Sequence, residues 1–213
     1  MEKELYIFDM DGTILNTIED ITNAVNYILQ EFDMPQRSVE EVKYFVGNGL
    51  LKTLQRSVPE TTDSETVEKM YPLFVEYYKN HSEESTRPYD GIVEVIQTLR
   101  NKNKKVAVVS NKRVEAVRTL CEKFFQGCFD ISLGDQEGIQ IKPAPDMVDM
   151  VIDHYQLPKE KVVYIGDSDV DLLTAKNAQI DCIAVAWGFR DREFLKAHDA
   201  KVIIDTPQDL LLL

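Results

Sequence analysis

The hydrophobic pattern of the chain changes rhythm twice. It opens with an uninterrupted apolar run, Leu5-Tyr6-Ile7-Phe8, that stops abruptly at Asp9-Met10-Asp11-Gly12-Thr13. Four apolar residues in succession predict a strand buried on both faces, as parallel strands are. The period then becomes helical. Ile18, Ile21, Val25, Ile28 or Leu29, and Phe32 predict a helix, with Thr17 and Asp20 as a capping box at its start. Met34-Pro35 ends it. A second helix is expected from Ser38, with Val39, Val42 and Phe45 on one face and a stop at Gly47-Asn48-Gly49, and a third from about Leu50 to Ser57. Val67, Met70, Tyr71, Phe74, Val75 and Tyr78 form a further stripe, and Pro72 inside it predicts a kink or break at Tyr71, because proline removes a donor and clashes with the preceding turn. Residues 15–82 therefore read as helices without strands, inserted after the first strand.

From Pro88 helix and strand alternate. Ile92, Ile96 and Leu99 mark a helix, and Lys105 to Val109 a strand ending in Ser110-Asn111-Lys112. Val114, Val117, Leu120, Cys121 and Phe124 mark the next helix, and Phe129 to Leu133 the next strand. Lys142-Pro143-Ala144-Pro145 leads into a helix with Pro145 at its first position, which suits proline. Lys161 to Ile165 is a strand ending in Gly166-Asp167-Ser168-Asp169-Val170-Asp171; Cys182 to Ala186 and Lys201 to Ile204 are two more, and the Leu210 to Leu213 tail reads as the packed end of a last helix. Strands alternating with helices predict an α/β fold with a parallel sheet and right-handed crossovers.

Charge narrows the function classes. The formal charge is −13, with no Lys or Arg cluster to offset it. Nucleic acid and anionic membrane both need a basic footprint, so neither is an expected partner. A small phosphorylated substrate stays compatible where local cations hold it. Met1-Glu2-Lys3-Glu4 lacks the basic and apolar sections of a signal peptide, and no run approaches a membrane span. Cys121, Cys128 and Cys182 lack zinc-type spacing, which predicts buried free thiols in a reducing cytoplasm. His81, His154 and His198 are scattered and read as surface or packing residues. A monomer or small homo-oligomer is expected.

Polar groups recur immediately after the apolar strands. In a parallel sheet those tips share one edge, where open α/β sheets bind ligands. Asp9, Asp11, Ser110, Lys142 and Asp167 are thus expected to line one cleft. Two carboxylates as close as Asp9 and Asp11 repel by about 4 kcal/mol at ~4 Å if the effective dielectric is about 20. Either a shared proton or a cation must compensate, and Mg²⁺ suits carboxylates combined with water and a substrate phosphate. Gly12 permits a sharp turn and close approach to a ligand, and Thr13 supplies a hydroxyl donor.

Asp9-Met10-Asp11-Gly12-Thr13, Ser110, Lys142-Pro143 and Gly166-Asp167-Ser168-Asp169-Val170-Asp171 resemble, in order and on the expected elements, the four motifs of the haloacid dehalogenase superfamily. The resemblance covers the whole chain. The helical insertion is similar to that superfamily's C1 cap, and Val46-Gly47-Asn48-Gly49-Leu50 resembles its phosphoglycolate phosphatase subgroup. The resemblance implies a Rossmann-like core carried by residues 1–14 and 83–213, with an α-helical cap over residues 15–82.

The same resemblance implies a Mg²⁺-dependent phosphatase acting on a small phosphorylated metabolite, phosphoglycolate foremost. Asp9 would attack phosphorus to form an aspartyl phosphate. Asp11 would protonate the leaving alkoxide and later deprotonate the attacking water. Mg²⁺ held by Asp9, Asp167 and the backbone carbonyl of Asp11 would screen nucleophile from phosphate. Ser110 and Lys142 would bind phosphoryl oxygens, with Thr13 and Asn111 as further substrate contacts. Asp171 is expected to orient water or Lys142 rather than to ligate metal. Gly47 and Asn48 are either a plain helix stop or cap residues touching substrate. Hinges are expected near Ile14 to Thr17 and Ser82 to Pro88.

Rival activities are weighed by single residues. Dehalogenases of the superfamily need no acid at the position of Asp11, which favours phosphoryl chemistry. β-Phosphoglucomutase-like members carry an arginine three residues after a cap glycine, where this chain has Leu50 after Gly47, so a phosphomutase or phosphotransferase ranks lower. Gly49-Leu50-Leu51-Lys52 resembles the cap-lysine pattern of phosphonoacetaldehyde hydrolases only in part. A non-enzymatic phospho-accepting signalling module would carry its acceptor at a later strand and need no helical insertion.

Overall fold

Leu5, Ile7 and Phe8 have no exposed surface, and the strand they form lies at the centre of a six-stranded sheet. The computed structural model describes residues 2–213. Its strands are β1 (Leu5–Phe8), β2 (Leu15–Asn16), β3 (Arg87–Pro88), β4 (Lys105–Arg113), β5 (Ile131–Asp135), β6 (Val162–Gly166), β7 (Asp181–Val185) and β8 (Val202–Ile204). Contacts divide the chain into two units, one of residues up to Leu15 with Pro88–Leu213, the other Asn16–Arg87. The chain crosses between them at β2 and β3, which pair as a two-stranded ribbon.

In the first unit the sheet order is β5-β4-β1-β6-β7-β8, with every pairing parallel. The chain moves outward from β1 through β4 and β5, then returns to the other side of β1 for β6. Strand order reverses beside β1, and its C-terminal tip is therefore the place where such sheets bind ligands. Helices cover both faces: α5 (Ile92–Asn101), α6 (Val114–Phe124), α7 (Asp146–Tyr155), α8 (Asp169–Ala178) and the short α9 (Arg192–Ala197). Side chains alternate along β1 as strand geometry requires. Tyr6 and Phe8 join the core formed with Ile96 and Leu99 of α5 and Val117 and Leu120 of α6. Leu5 and Ile7 join the opposite core with Val148 and Val151 of α7 and Ala175 and Ala178 of α8.

Several expected boundaries move. β4 continues to Arg113, so Ser110, Asn111 and Lys112 lie within the strand rather than just after it. Its register with β5 shifts between Val109 and Arg113, and Gly134 accommodates this: a Cβ there would lie 2.5 Å from the Lys112 carbonyl oxygen. Pro145 caps α7 instead of opening it. The C-terminal turn, Pro207–Leu211, is 3₁₀; it buries Leu210, whereas Leu212 and Leu213 are exposed. Among the described residues no helix is long and apolar enough to cross a membrane.

The second unit consists of α1 (Ile18–Glu31), α2 (Val39–Phe45), α3 (Leu50–Ser57) and α4 (Ser64–His81). Ile21, Val25, Ile28 and Leu29 of α1 are buried, and so are Val67, Met70, Phe74 and Tyr78 of α4. The expected capping box on α1 is absent: Thr17 makes no side-chain cap bond. The buried Asp20 carboxylate instead accepts from the Ser85 and Thr86 amides at 2.8 and 2.9 Å, tying the end of the helical segment to its beginning. Ser38 and Glu41 do form a reciprocal capping box on α2. Of the kink or break expected at Tyr71, the break does not occur: α4 runs on through Pro72. The packing of its apolar stripe outweighs the lost hydrogen bond.

Candidate active site

The turn after β1 is built by its own backbone. The Asp9 amide donates to the Ile165 carbonyl at 2.8 Å, prolonging the β1–β6 ladder, and the amides of Thr13, Ile14 and Leu15 all converge on the Met10 carbonyl. Gly12 has φ +85°, and a Cβ there would lie 2.4 Å from an Asp167 carboxylate oxygen. Only glycine meets both demands. Asp167, at the tip of β6, is thereby drawn against the β1 turn, where it accepts from the Phe189 amide at 2.6 Å and the Thr13 hydroxyl at 3.3 Å.

Lys142 reaches into the same space and is 3% exposed. Its Nζ lies 2.7 Å from Asp9 Oδ1 and 2.7 Å from Asp171 Oδ1, and donates to the Tyr164 hydroxyl at 3.0 Å. The Tyr164 hydroxyl donates in turn to the Val109 carbonyl. The other Asp171 oxygen accepts from the Ser168 amide and hydroxyl, closing a capping box at the start of α8. The loop carrying Lys142 is held by Asn111, whose side-chain amide donates to the Lys142 carbonyl at 2.9 Å and accepts from the Lys142 amide at 2.7 Å.

Asp9, Asp167 and Asp171 each offer a carboxylate oxygen, all within 4.8 Å of one another, a group that could hold a metal ion. Burial raises the Asp9 carboxyl well above the ordinary range, reinforced by Asp171 and opposed by Lys142. Burial, then the charge of Asp171, pushes Asp167 up to about 7. Burial alone would lower the Lys142 ammonium, but Asp171 and Asp9 outweigh it and hold it well above the usual lysine value. The lysine keeps its proton, and the carboxylates around it remain short of positive charge. Such an all-oxygen, buried and charge-deficient set fits a hard divalent cation.

Of the residues singled out in the sequence, Asp9, Asp11, Thr13, Ser110, Asn111, Lys142 and Asp167 all come together in the first unit, with Asp171 beside them. Ser110 is buried, and its hydroxyl accepts from the Lys112 amide at 3.3 Å. Asn111 is placed as a clamp on the Lys142 loop. Gly47 and Asn48 belong to the helical unit, where the Arg56 guanidinium donates to Asn48 Oδ1 at 2.9 Å and to the Phe45 carbonyl at 3.0 Å, fixing the turn between α2 and α3.

Two residues escape the sequence reading. Lys112, 6% exposed, donates to both oxygens of Asp11, at 3.0 and 3.2 Å. Its signal was the strand itself: residues two apart share a face, so a strand continuing past Ser110 carries Lys112 to the same side. Tyr164 looked like part of an apolar run, yet a phenol buried mid-strand needs a partner for its hydroxyl, and here it finds Lys142.

The model of the haloacid dehalogenase-like hydrolases matches residues 6–185, and the chain belongs to that family. It is 30% identical over 212 residues to pyrophosphatase PpaX of Listeria monocytogenes, covering 96% of this chain and 93% of that one. Phosphoglycolate phosphatase 1 of Pseudomonas aeruginosa is 29% identical over 213 residues, covering 97% of this chain and 78% of the relative. A crystal structure from Lactobacillus delbrueckii subsp. bulgaricus, of a protein provisionally named a phosphoglycolate phosphatase, superposes with a TM-score of 0.94 at 39% identity, over 99% of this chain and 97% of that one.

Proposed function

We propose that the protein is a Mg²⁺-dependent phosphatase that cleaves small phosphorylated metabolites through an aspartyl phosphate on Asp9, with phosphoglycolate the leading substrate and pyrophosphate the second. The observation that carries this reading is the contact of Lys142 Nζ with Asp9 at 2.7 Å, beside the carboxylates of Asp167 and Asp171. A buried cation touching a strand-tip carboxylate is positioned to bring a phosphoryl group onto that carboxylate.

Asp9 and Asp167 would hold the Mg²⁺, with the Asp11 carbonyl; both Asp171 oxygens are engaged by Lys142 and Ser168, which supports a positioning role for it. When bound, the metal supplies the positive charge that lets an anionic nucleophile meet an anionic phosphate. An Asp9 oxygen attacks phosphorus; the bond to the leaving oxygen breaks, and Asp11 delivers a proton to that oxygen. Water then attacks the same phosphorus and gives its proton to Asp11 as the Asp9–phosphorus bond breaks. Lys142 and Ser110 bind phosphoryl oxygens where charge spreads. We assign Asn16–Arg87 as the cap, hinged near the two crossings. The free cysteines Cys121, Cys128 and Cys182 support a reducing compartment, the cytoplasm.

Phosphate release is to be measured across phosphoglycolate, pyrophosphate, sugar phosphates, nucleotides and p-nitrophenyl phosphate, with Mg²⁺ or EDTA, for wild type and Asp9→Asn. Expected is metal-dependent turnover that falls at least about 10⁴-fold in the variant, the scale of loss when a nucleophile is deleted. Phosphate retained stoichiometrically on Asp9 without turnover would point to a phosphotransferase or signalling role instead.

A further inference from the structure

The site holds two buried lysines in different places. Lys142 serves Asp9 and Asp171, on the side where phosphorus is attacked. Lys112 serves Asp11; its side chain is 3% exposed and that of Asp11 15%. Taking an ammonium out of water costs several kcal/mol before its contacts are counted. Asp11 is the group assigned above to the leaving oxygen, so the inference rests on that reading.

An acid that protonates the leaving oxygen lies about 3 Å from it. Lys112 Nζ lies 3.0 and 3.2 Å from the two Asp11 oxygens, which puts the ammonium within about 6 Å of the leaving oxygen. Atoms one or two bonds beyond that oxygen fall inside its reach. In phosphoglycolate a carboxylate sits one carbon away from the leaving oxygen; in pyrophosphate the second phosphorus is bonded to it directly. These substrates, named for two relatives, differ in skeleton but share a second anion beside the scissile bond. On a chain of formal charge −13, such an anion needs a local cation.

We propose that Lys112 is a specificity-determining residue that binds a second anionic group on the leaving side of the substrate. The enzyme accordingly selects phosphate esters and anhydrides whose leaving group carries a carboxylate or phosphate next to the scissile oxygen. Simple alkyl and aryl phosphates lack this contact and are poorer substrates.

The test is a double cycle on the Mg²⁺-loaded full chain. Phosphoglycolate and its neutral amide, 2-phosphoglycolamide, are compared in wild type and in Lys112→Met, by kcat and KM separately. Wild type is expected to prefer the acid by roughly 10- to 100-fold in kcat/KM, mostly through KM, the range of a hydrogen bond to a charged group. In Lys112→Met that preference falls to within about 3-fold, while p-nitrophenyl phosphate loses less than phosphoglycolate does. Lys112→Gln, which keeps a donor for Asp11, repeats the comparison should the methionine variant not fold. A preference that survives in either variant, or an absent preference in wild type, overturns the assignment of Lys112. No phosphate release by wild type from any of these compounds, p-nitrophenyl phosphate included, overturns the phosphatase reading itself.

Discussion

Lys142 Nζ and Asp171 Oδ1 are 2.7 Å apart, with side chains 2% and 1% exposed. A buried pair of this kind is held by both its members, since removing one leaves the other uncompensated. Asp171 also holds the first turn of α8 through Ser168. It therefore couples the lysine that touches Asp9 to the element that follows Asp167. Asp171→Asn keeps the size of the side chain but removes the charge facing Lys142. Expected is a fall in kcat of about 10- to 100-fold, typical for a residue supporting a site, with a smaller change in KM. Stability should fall by about 1–3 kcal/mol in urea unfolding. An unchanged kcat in a folded variant would remove Asp171 from the positioning of Lys142.

The raised carboxyl of Asp167 gives a pH-dependent metal effect. Its pKa is about 7 in the metal-free fold, held up by burial and then by Asp171, against an ordinary value of 3.8. Between those values the folded protein keeps a proton that the unfolded chain has released, so this group's contribution to stability falls as pH rises toward 7. Asp9 acts in the same direction. On the function proposed above, Mg²⁺ would have to displace these protons, and its binding is expected to strengthen as pH rises through that window. The rise in Tm produced by a fixed Mg²⁺ concentration is expected to be larger at pH 8 than at pH 5.5. Equal shifts at both pH values would show that Asp167 does not hold the metal.

The strand tips were legible because composition and topology speak together: an apolar run that ends in polar groups is visible in sequence, and a parallel sheet gathers such ends on one edge. Asp9, Ser110 and Asp167 required nothing more. Lys112 did not emerge because its assignment depends on where β4 stops, and strand ends are set by pairing with β5, a partner distant in sequence. Asn111 shows a related limit. Its position after an apolar run reads like that of a substrate contact; what the sequence could not show is that its side-chain amide also clamps the Lys142 backbone 31 residues away. Thr17 and Asp20 have the spacing of a capping box, yet the amides of Ser85 and Thr86 claim the carboxylate, a choice that only the fold presents.

Gly188 is a position whose cost lies in the backbone. A Cβ there would meet Asp167 Cβ at 2.3 Å and the Gly12 carbonyl oxygen at 2.4 Å. The second of these belongs to the turn after β1, which is fixed by hydrogen bonds to Met10. It cannot swing aside as a side-chain tip could. Gly188→Ala is expected to lower stability by about 1–3 kcal/mol, the usual cost of overpacking, and to weaken Mg²⁺ binding by displacing Asp167. Urea unfolding and calorimetric titration with Mg²⁺ check the two effects. A variant as stable as wild type would mean that the Trp187–Phe189 loop moves freely against Asp167.

Pro72 carries a cost of its own inside α4. The helix continues through it, with Met70, Phe74 and Tyr78 buried on one side, while Pro72 itself lies on the exposed face. The break expected from local chemistry is overridden by tertiary packing, but the missing N–H still leaves a carbonyl one turn earlier without its helical partner. Glu68, which carries that carbonyl, is exposed, as Pro72 is, which softens the loss. Pro72→Ala restores the donor and a strong helix former at an exposed position, and a gain of about 1–3 kcal/mol is expected in urea unfolding. The opposing effect is the unfolded chain, which proline restrains by about 0.4–1 kcal/mol. A stabilised variant would show that α4 tolerates the proline at a cost; a destabilised one would show that its restraint of the unfolded chain outweighs the hydrogen bond it removes.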